Sequence, residues 1–205
     1  MIYVPAAFSE PSGPCLYALM RRHAFATLIS TSGDKVEVSH LPLLVDEQAG
    51  LLRGHLAREN PQWRGFSRDR EIIAIFHGPH HYISPAWYGA HPSVPTWNYA
   101  VVHAHGVPQL TDDAAGLERM LEELTQTHES ATGTPWRMDL PRAYLDSMLK
   151  GIVGFEVRIT RLEGKFKLSQ NRPAADRPRV AAALEALGND DAAGIAALMR
   201  ERERR

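Results

Sequence analysis

Hydrophobic and polar positions follow two periods along this chain, and each period marks one kind of element. Period-two patterning in "AFATLIST" and "KVEVSHLPLLV", joined by "SGD", predicts a β-hairpin. "LLRGHLA" after the turn "DEQAG" predicts a third strand, and "EIIAIFHG" a fourth, whose unbroken apolar run 72–76 suits burial on both faces. A long fifth strand is expected over about 94–107. Its alternation sets Trp97, Tyr99, Val101, His103 and His105 against Thr96, Asn98, Ala100, Val102 and Ala104. "IVGFEVRITRL" supplies a sixth, with Val153, Phe155, Val157 and Ile159 alternating with Gly154, Glu156, Arg158 and Thr160.

Helical spacing appears elsewhere. Ser12 reads as the cap of a helix to about Arg22 with Leu16, Leu19 and Met20 on one face. "NPQWRGF" fits one helical turn, Asn60 capping and Pro61 in first position. A longer helix is expected from Asp112 to about Thr127, capped by Thr111, with Leu117, Met120, Leu121 and Leu124 on one face and Asp112 and Asp113 at the favourable end of its dipole. Pro141 opens a short helix carrying Leu145, Met148 and Leu149, and two alanine-rich helices follow, over about 177–187 and 190–202. "MIYVPAAFSEPSGP" reads as extended chain and turn, because each proline disfavours helix at the residue before it. Six strands interrupted by helices, without βαβ alternation, describe an α+β protein.

Composition narrows the function. A chain of 205 residues with 44% hydrophobic content builds a good-sized core. Its single cysteine, Cys15, has no disulfide or CxxC partner and reads as a small buried hydrophobe in a reducing compartment. No run approaches a membrane span and no signal-peptide pattern opens the chain, so a cytoplasmic location is expected. Net charge is −1, but from Gln109 to Ser147 there are eight acids and three bases, and from Lys150 to Val180 eight bases and three acids. A basic C-terminal third can meet phosphate, on a cofactor or on DNA.

The stretch from His77 to Gly106 holds six of the ten histidines, three of the six tyrosines and two of the four tryptophans. Three explanations compete: a metal site, a flat cofactor against aromatic and polar groups, or an aromatic core or dimer contact. His103 and His105 share a strand face, but no HExxH or cysteine pair accompanies them, and no metal is assigned. A GxSxG elbow, a GxGxxG turn and a P-loop are all missing. "GPHHYISPAWY" reads as a proline-punctuated loop after a buried strand, and "VPTWNYA" returns with Thr96 and Asn98 opposite Trp97 and Tyr99, a pairing that suits an isoalloxazine or haem edge. "GKFKLSQNRP" puts Lys165 and Lys167 on one face of an extended chain, then adds Ser169, Gln170, Asn171 and Arg172 as donors able to clamp a phosphate.

The blocks "MIYVPAAF", "SHLPLLV", "LRGHLARENPQWR", "IFHGPHHYISPAWY", "VPTWNYAVVHAHG" and "IVGFEVRITRLEGKFKLSQNRPAADR" together resemble the PaiB family of FMN-binding negative transcriptional regulators. The resemblance runs from Met1 to about Leu187. It implies a six-stranded Greek-key split β-barrel over 1–187 with flanking helices, residues 188–205 forming a C-terminal helical extension, and a homodimer that binds FMN. Joined to the residue-level reading, it names Arg53, His55, His80, Tyr82, Ser84, Thr96, Trp97 and Asn98 as expected cofactor contacts. Lys165, Lys167, Gln170, Asn171 and Arg172 are expected at the phosphate or ribityl chain. No helix-turn-helix pattern is visible, so direct DNA contact stays open, as do a flavin-dependent oxidoreductase and a haem-binding split barrel.

Overall fold

The computed structural model describes residues 2–89, 91–111, 113–130, 132–133 and 136–204. Among them are seven strands, β1 (Phe25–Ser32), β2 (Lys35–Pro42), β3 (Leu44–Asp46), β4 (Leu51–Ala57), β5 (Ile72–Ile83), β6 (Thr96–Thr111) and β7 (Ile152–Lys167). Five α-helices accompany them: α1 (Gly13–Arg22), α2 (Ala114–Glu129), α3 (Arg142–Lys150), α4 (Asp176–Glu185) and α5 (Asp190–Glu203). Short 3-10 turns occupy Ala6–Phe8, Pro61–Gly65 and Pro85–Trp87. The α+β class expected from patterning is observed. No helix of the described residues is long and apolar enough to cross a membrane.

The chain folds as two compact units, each assembled from separated stretches: Met1–Leu19, His77–His103 and Glu163–Arg205 in one, Met20–Phe76 and Ala104–Leu162 in the other. The second contains at least part of every strand, in the order β2-β1-β5-β6-β7-β4-β3. Its β1–β2 hairpin closes through Gly33 and Asp34, Gly33 taking the left-handed φ of 58° that the tight turn needs. The strand count is seven, not six, because the run expected as one strand over 35–45 changes partner at Leu43. Pro42 is still opposite Phe25 on β1, whereas Leu44 lies opposite Arg53 on β4. Between them Leu43 donates its N–H to Ala24 O at 3.0 Å and buries its side chain.

Helices α2 and α3 bring Leu117, Met120, Leu145 and Leu149 into one buried cluster, with Leu121 and Ile152 against it. Met148 faces outward, half exposed. The α2 cap is Asp113, whose carboxylate accepts from Ala115 N at 3.1 Å and Gly116 N at 2.9 Å. Thr111, expected as that cap, instead ends β6, and the expected start at Asp112 lies outside the described residues. Asn60 caps its short turn as expected, accepting from Gln62 N at 3.0 Å.

The other unit is built on the remaining halves of the long strands. "GPHHYIS", expected as a loop, is the continuation of β5 to Ile83. Pro79 is tolerated there because the β1 ladder on β5 stops at Ile75, so no β1 partner is waiting for its missing N–H. The next residue, His80, donates its N–H to Asp191 at the start of α5. β7 likewise runs on through Lys167, five residues beyond the expected end. Helices α4 and α5 pack on each other around Val180, Leu184, Ile195 and Met199, and Asn189 caps α5 through Ala192 N at 2.9 Å.

Gly106 shows how closely two strands are forced together. A Cβ there would stand 2.4 Å from Arg158 O and 2.6 Å from Val157 Cγ1, and the backbone oxygen cannot step aside. Gly106→Ala is expected to lower stability by about 1–3 kcal/mol in urea unfolding. Gly13→Ala, where a Cβ meets nothing within 4 Å, serves as the control and is expected to leave the midpoint unchanged or slightly raised.

Candidate functional site

Three cations dominate the unit that holds β7's end. Strand geometry past Gly164 puts Lys165 and Lys167 on one side. Lys165 Nζ donates to Tyr3 O at 2.9 Å and lies over the rings of Tyr3 (5.3 Å) and Tyr99 (5.5 Å). Lys167 Nζ donates to Thr96 Oγ1 and, at 2.9 Å, to Trp97 O, with the Phe8 ring 5.9 Å away. Arg172 stacks at 4.2 Å on the Tyr88 ring and donates to Val94 O at 3.3 Å. Every one of these partners is an oxygen without formal charge or a ring face. Burial first, then the charges of Lys165 and Arg172, push the Lys167 ammonium below its ordinary pKa.

The turn that follows β7 is held from inside. Asn98 is fully buried on β6 and donates from Nδ2 to Ser169 Oγ at 2.9 Å and to Met199 Sδ at 3.7 Å. To meet it, Ser169 adopts φ 65°, a left-handed conformation unusual for serine. Gln170 turns back on its own strand, accepting from Leu168 N at 2.6 Å and donating to Phe166 O. Arg177 ties the turn to α4 by donating to Gln170 O and Arg172 O. Asn171 is left exposed. Among the described residues of this unit, the buried polar atoms Asn98 Oδ1, Tyr88 Oη and Asp176 Oδ2 have no partner.

An aromatic patch belongs to the same unit. Trp97 is 53% exposed, with Tyr82 edge-on at 6.1 Å and His80 tilted at 6.3 Å. The His80 ring also stands 3.8 Å from the Asp191 carboxylate. Ser84 is occupied locally, its Oγ accepting from Ala86 N as the cap of the Pro85–Trp87 turn. His103 and the Glu163 carboxylate bring ligand-type atoms within 4.8 Å of each other, and Glu163 also accepts from Ile2 N.

The expected contacts are therefore gathered in one unit, with two exceptions. Arg53 and His55 belong to the other, where Arg53 is ion-paired to Glu123 at 2.5 Å. His55 is partly buried with its Nδ1 unpartnered, and burial pushes the imidazole below its ordinary pKa. That unit has a cleft of about 290 Å³ lined by Arg68, Glu156 and Arg158 among others, and neither Arg53 nor His55 is in its wall. Sequence reasoning did not single out Tyr3, Phe8 or Tyr88 as part of the site. Their signal was an aromatic at Tyr3 and Phe8 in a segment legible only as extended chain and turn.

A family model described as "Putative FMN-binding domain" matches residues 2–161. The chain is 33% identical over 207 residues to "Protease synthase and sporulation protein PAI 2" of Bacillus subtilis (strain 168), the alignment covering 98% of both. Among solved structures, it is similar to the FAD and heme binding protein from Mycobacterium smegmatis, with TM-score 0.62, 12% identity and coverage of 89% of this chain and 80% of that one. It is also similar to the flavocytochrome Anf3 from Azotobacter vinelandii, with TM-score 0.62, 9% identity and coverage of 78% and 69%. At these identities the two structures share the fold.

The His55 shift has a pH signature. Unfolded, its imidazole titrates near 6.5; folded, it titrates lower. Between the two values the unfolded chain binds the extra proton, so stability rises with pH through that window and is lost as pH falls through it. Urea midpoints measured from about pH 7.5 down to about pH 5 should fall more steeply for the wild type than for His55→Gln. Parallel curves would assign the pH dependence elsewhere.

Proposed function

The chain belongs to the PaiB-type family of FMN-binding proteins, and from that premise we propose that it grips the FMN phosphate with Lys165, Lys167 and Arg172 and acts, flavin-loaded, as a negative regulator of transcription. In this reading it is a cytoplasmic homodimer with the family's split-barrel, Greek-key arrangement. The observation that carries the reading is the cation cluster itself: three positive groups, one of them depressed in pKa by burial and then by the other two, and no carboxylate bonded to any of them among the described residues. Like charges held together without a counter-charge are costly until an anion arrives. A phosphate monoester carries about −1.5 to −2 charges near neutral pH and several strong acceptor oxygens.

The donors and acceptors fit the rest of the group. Asn98 Oδ1 and Tyr88 Oη are buried and unsatisfied, and Asn171 presents an exposed amide, the types of partner that ribityl hydroxyls require. Trp97, Tyr82 and His80 offer exposed ring surface for a flat heterocycle. FMN, when bound, supplies reversible one- and two-electron chemistry. The chain's own residues bind and orient: the lysines neutralise phosphate, and a phosphate beside Lys167 opposes the shift that burial and its neighbours impose. The regulatory part of the proposal takes its support from the Bacillus relative, whose name links it to protease synthesis and sporulation.

The purified protein, given FMN and passed through gel filtration, is expected to keep the flavin's visible bands. Lys165→Ala with Lys167→Ala should weaken FMN binding at least about tenfold, since charged hydrogen bonds contribute about 1.5–3 kcal/mol each. Unchanged affinity in that double variant would refute the phosphate assignment. Steady consumption of NADH or NADPH by the loaded protein would instead favour an oxidoreductase.

A further inference from the structure

We infer that the segment 2–10 is part of the anion site, with Tyr3 and Phe8 as positioning residues that hold the Lys165 and Lys167 ammonium groups and so set the preference for a phosphorylated ligand over its neutral counterpart. The inference rests on the phosphate reading above and extends it to residues outside the phosphate-binding set.

The segment is fastened along the end of β7. Ser9 bridges Lys165 in antiparallel fashion, Glu10 donates its N–H to Gly164 O at 3.1 Å, and Ile2 donates to the Glu163 carboxylate at 3.3 Å. Gly164 permits this approach, since a Cβ there would lie 2.2 Å from Leu16 Cδ2 and 3.1 Å from Glu10 O. Glu10 is buried, and its carboxylate accepts from Ser12 N at 3.0 Å and Arg202 Nη1 at 3.1 Å. Between these anchors, the 3-10 turn Ala6–Phe8 follows Pro5 and closes through Phe8 N to Pro5 O at 2.9 Å. One ring, Tyr3, is thereby set over Lys165 and the other, Phe8, over Lys167.

The choice of rings has a chemical consequence. A carboxylate would also stabilise these cations, but it would repel an incoming phosphate and compete for the same donors. A ring face attracts an ammonium through its quadrupole and brings no net charge. The Tyr3 carbonyl takes one of the three protons of Lys165 and leaves two; Lys167, after Thr96 and Trp97, has one left. The cations are thus fixed in place with donors to spare.

The test uses the full chain and two probes, FMN and riboflavin, which differ only in the phosphate. Dissociation constants are read from flavin fluorescence. Replacing both rings with aliphatic side chains, Tyr3→Leu with Phe8→Leu, should lower the preference for FMN over riboflavin about tenfold, the scale expected from losing two cation–π contacts. Tyr3→Phe, which keeps the ring face, should retain it. A leucine double variant that binds both flavins less well by the same factor, or that keeps the wild-type preference, overturns the inference and leaves the phosphate reading intact. A wild type that prefers neither flavin removes that reading and the inference with it.

Discussion

A buried amide N–H must find partners inside the protein, and around the Nδ2 of Asn98 one unit of this molecule is arranged to provide them. Its Nδ2 reaches Ser169 and Met199, and the turn after β7 is bent to make that contact. The left-handed backbone at Ser169 accompanies this contact, with its Oγ on Asn98 and Arg172 N closing the turn onto Ser169 O. From that turn come the direction of Arg172 and the anchoring of α4 through Arg177. The buried amide thereby links β6, the basic turn and the last helix in one polar network.

The electrostatics of the unit depend on that rigidity. Flexible lysines on a surface separate when they repel, and the cost of proximity disappears. Here the β-strand, the carbonyls of Tyr3 and Trp97 and four aromatic rings hold Lys165, Lys167 and Arg172 together in spite of their like charge. Burial and this enforced proximity together push the Lys167 ammonium below its ordinary pKa.

How much of this was legible before the structure depended on range. Local chemistry read well: the Asn60 cap, the limits of β4 and the two alanine-rich helices need only neighbouring residues. The placement of Lys165 and Lys167 on one side was also legible, because strand periodicity alone sets it. Prolines and glycines misled where tertiary context relieved their penalty, as with Pro79 in β5 and Gly164 in β7, so both strands read short. The partner switch at Leu43 left no local mark. Long-range contacts were out of reach altogether: nothing near Arg53 announces an ion pair with Glu123 seventy positions away, and nothing near Tyr3 points to Lys165.

The unit that carries the cations is stitched from three stretches, and its closing contacts span great sequence distances, Ile2 to Glu163 and Glu10 to Arg202. Such contacts are slow to form because so much chain must be gathered first. During synthesis the contacts of Glu10 with Arg202 and of Asn98 with Met199 must wait for the last helix. The surroundings of the cation cluster are consequently among the last features of the molecule to mature. A ligand that needed all three cations would recognise only chains that had finished folding, so its binding would report on quality as well as on supply.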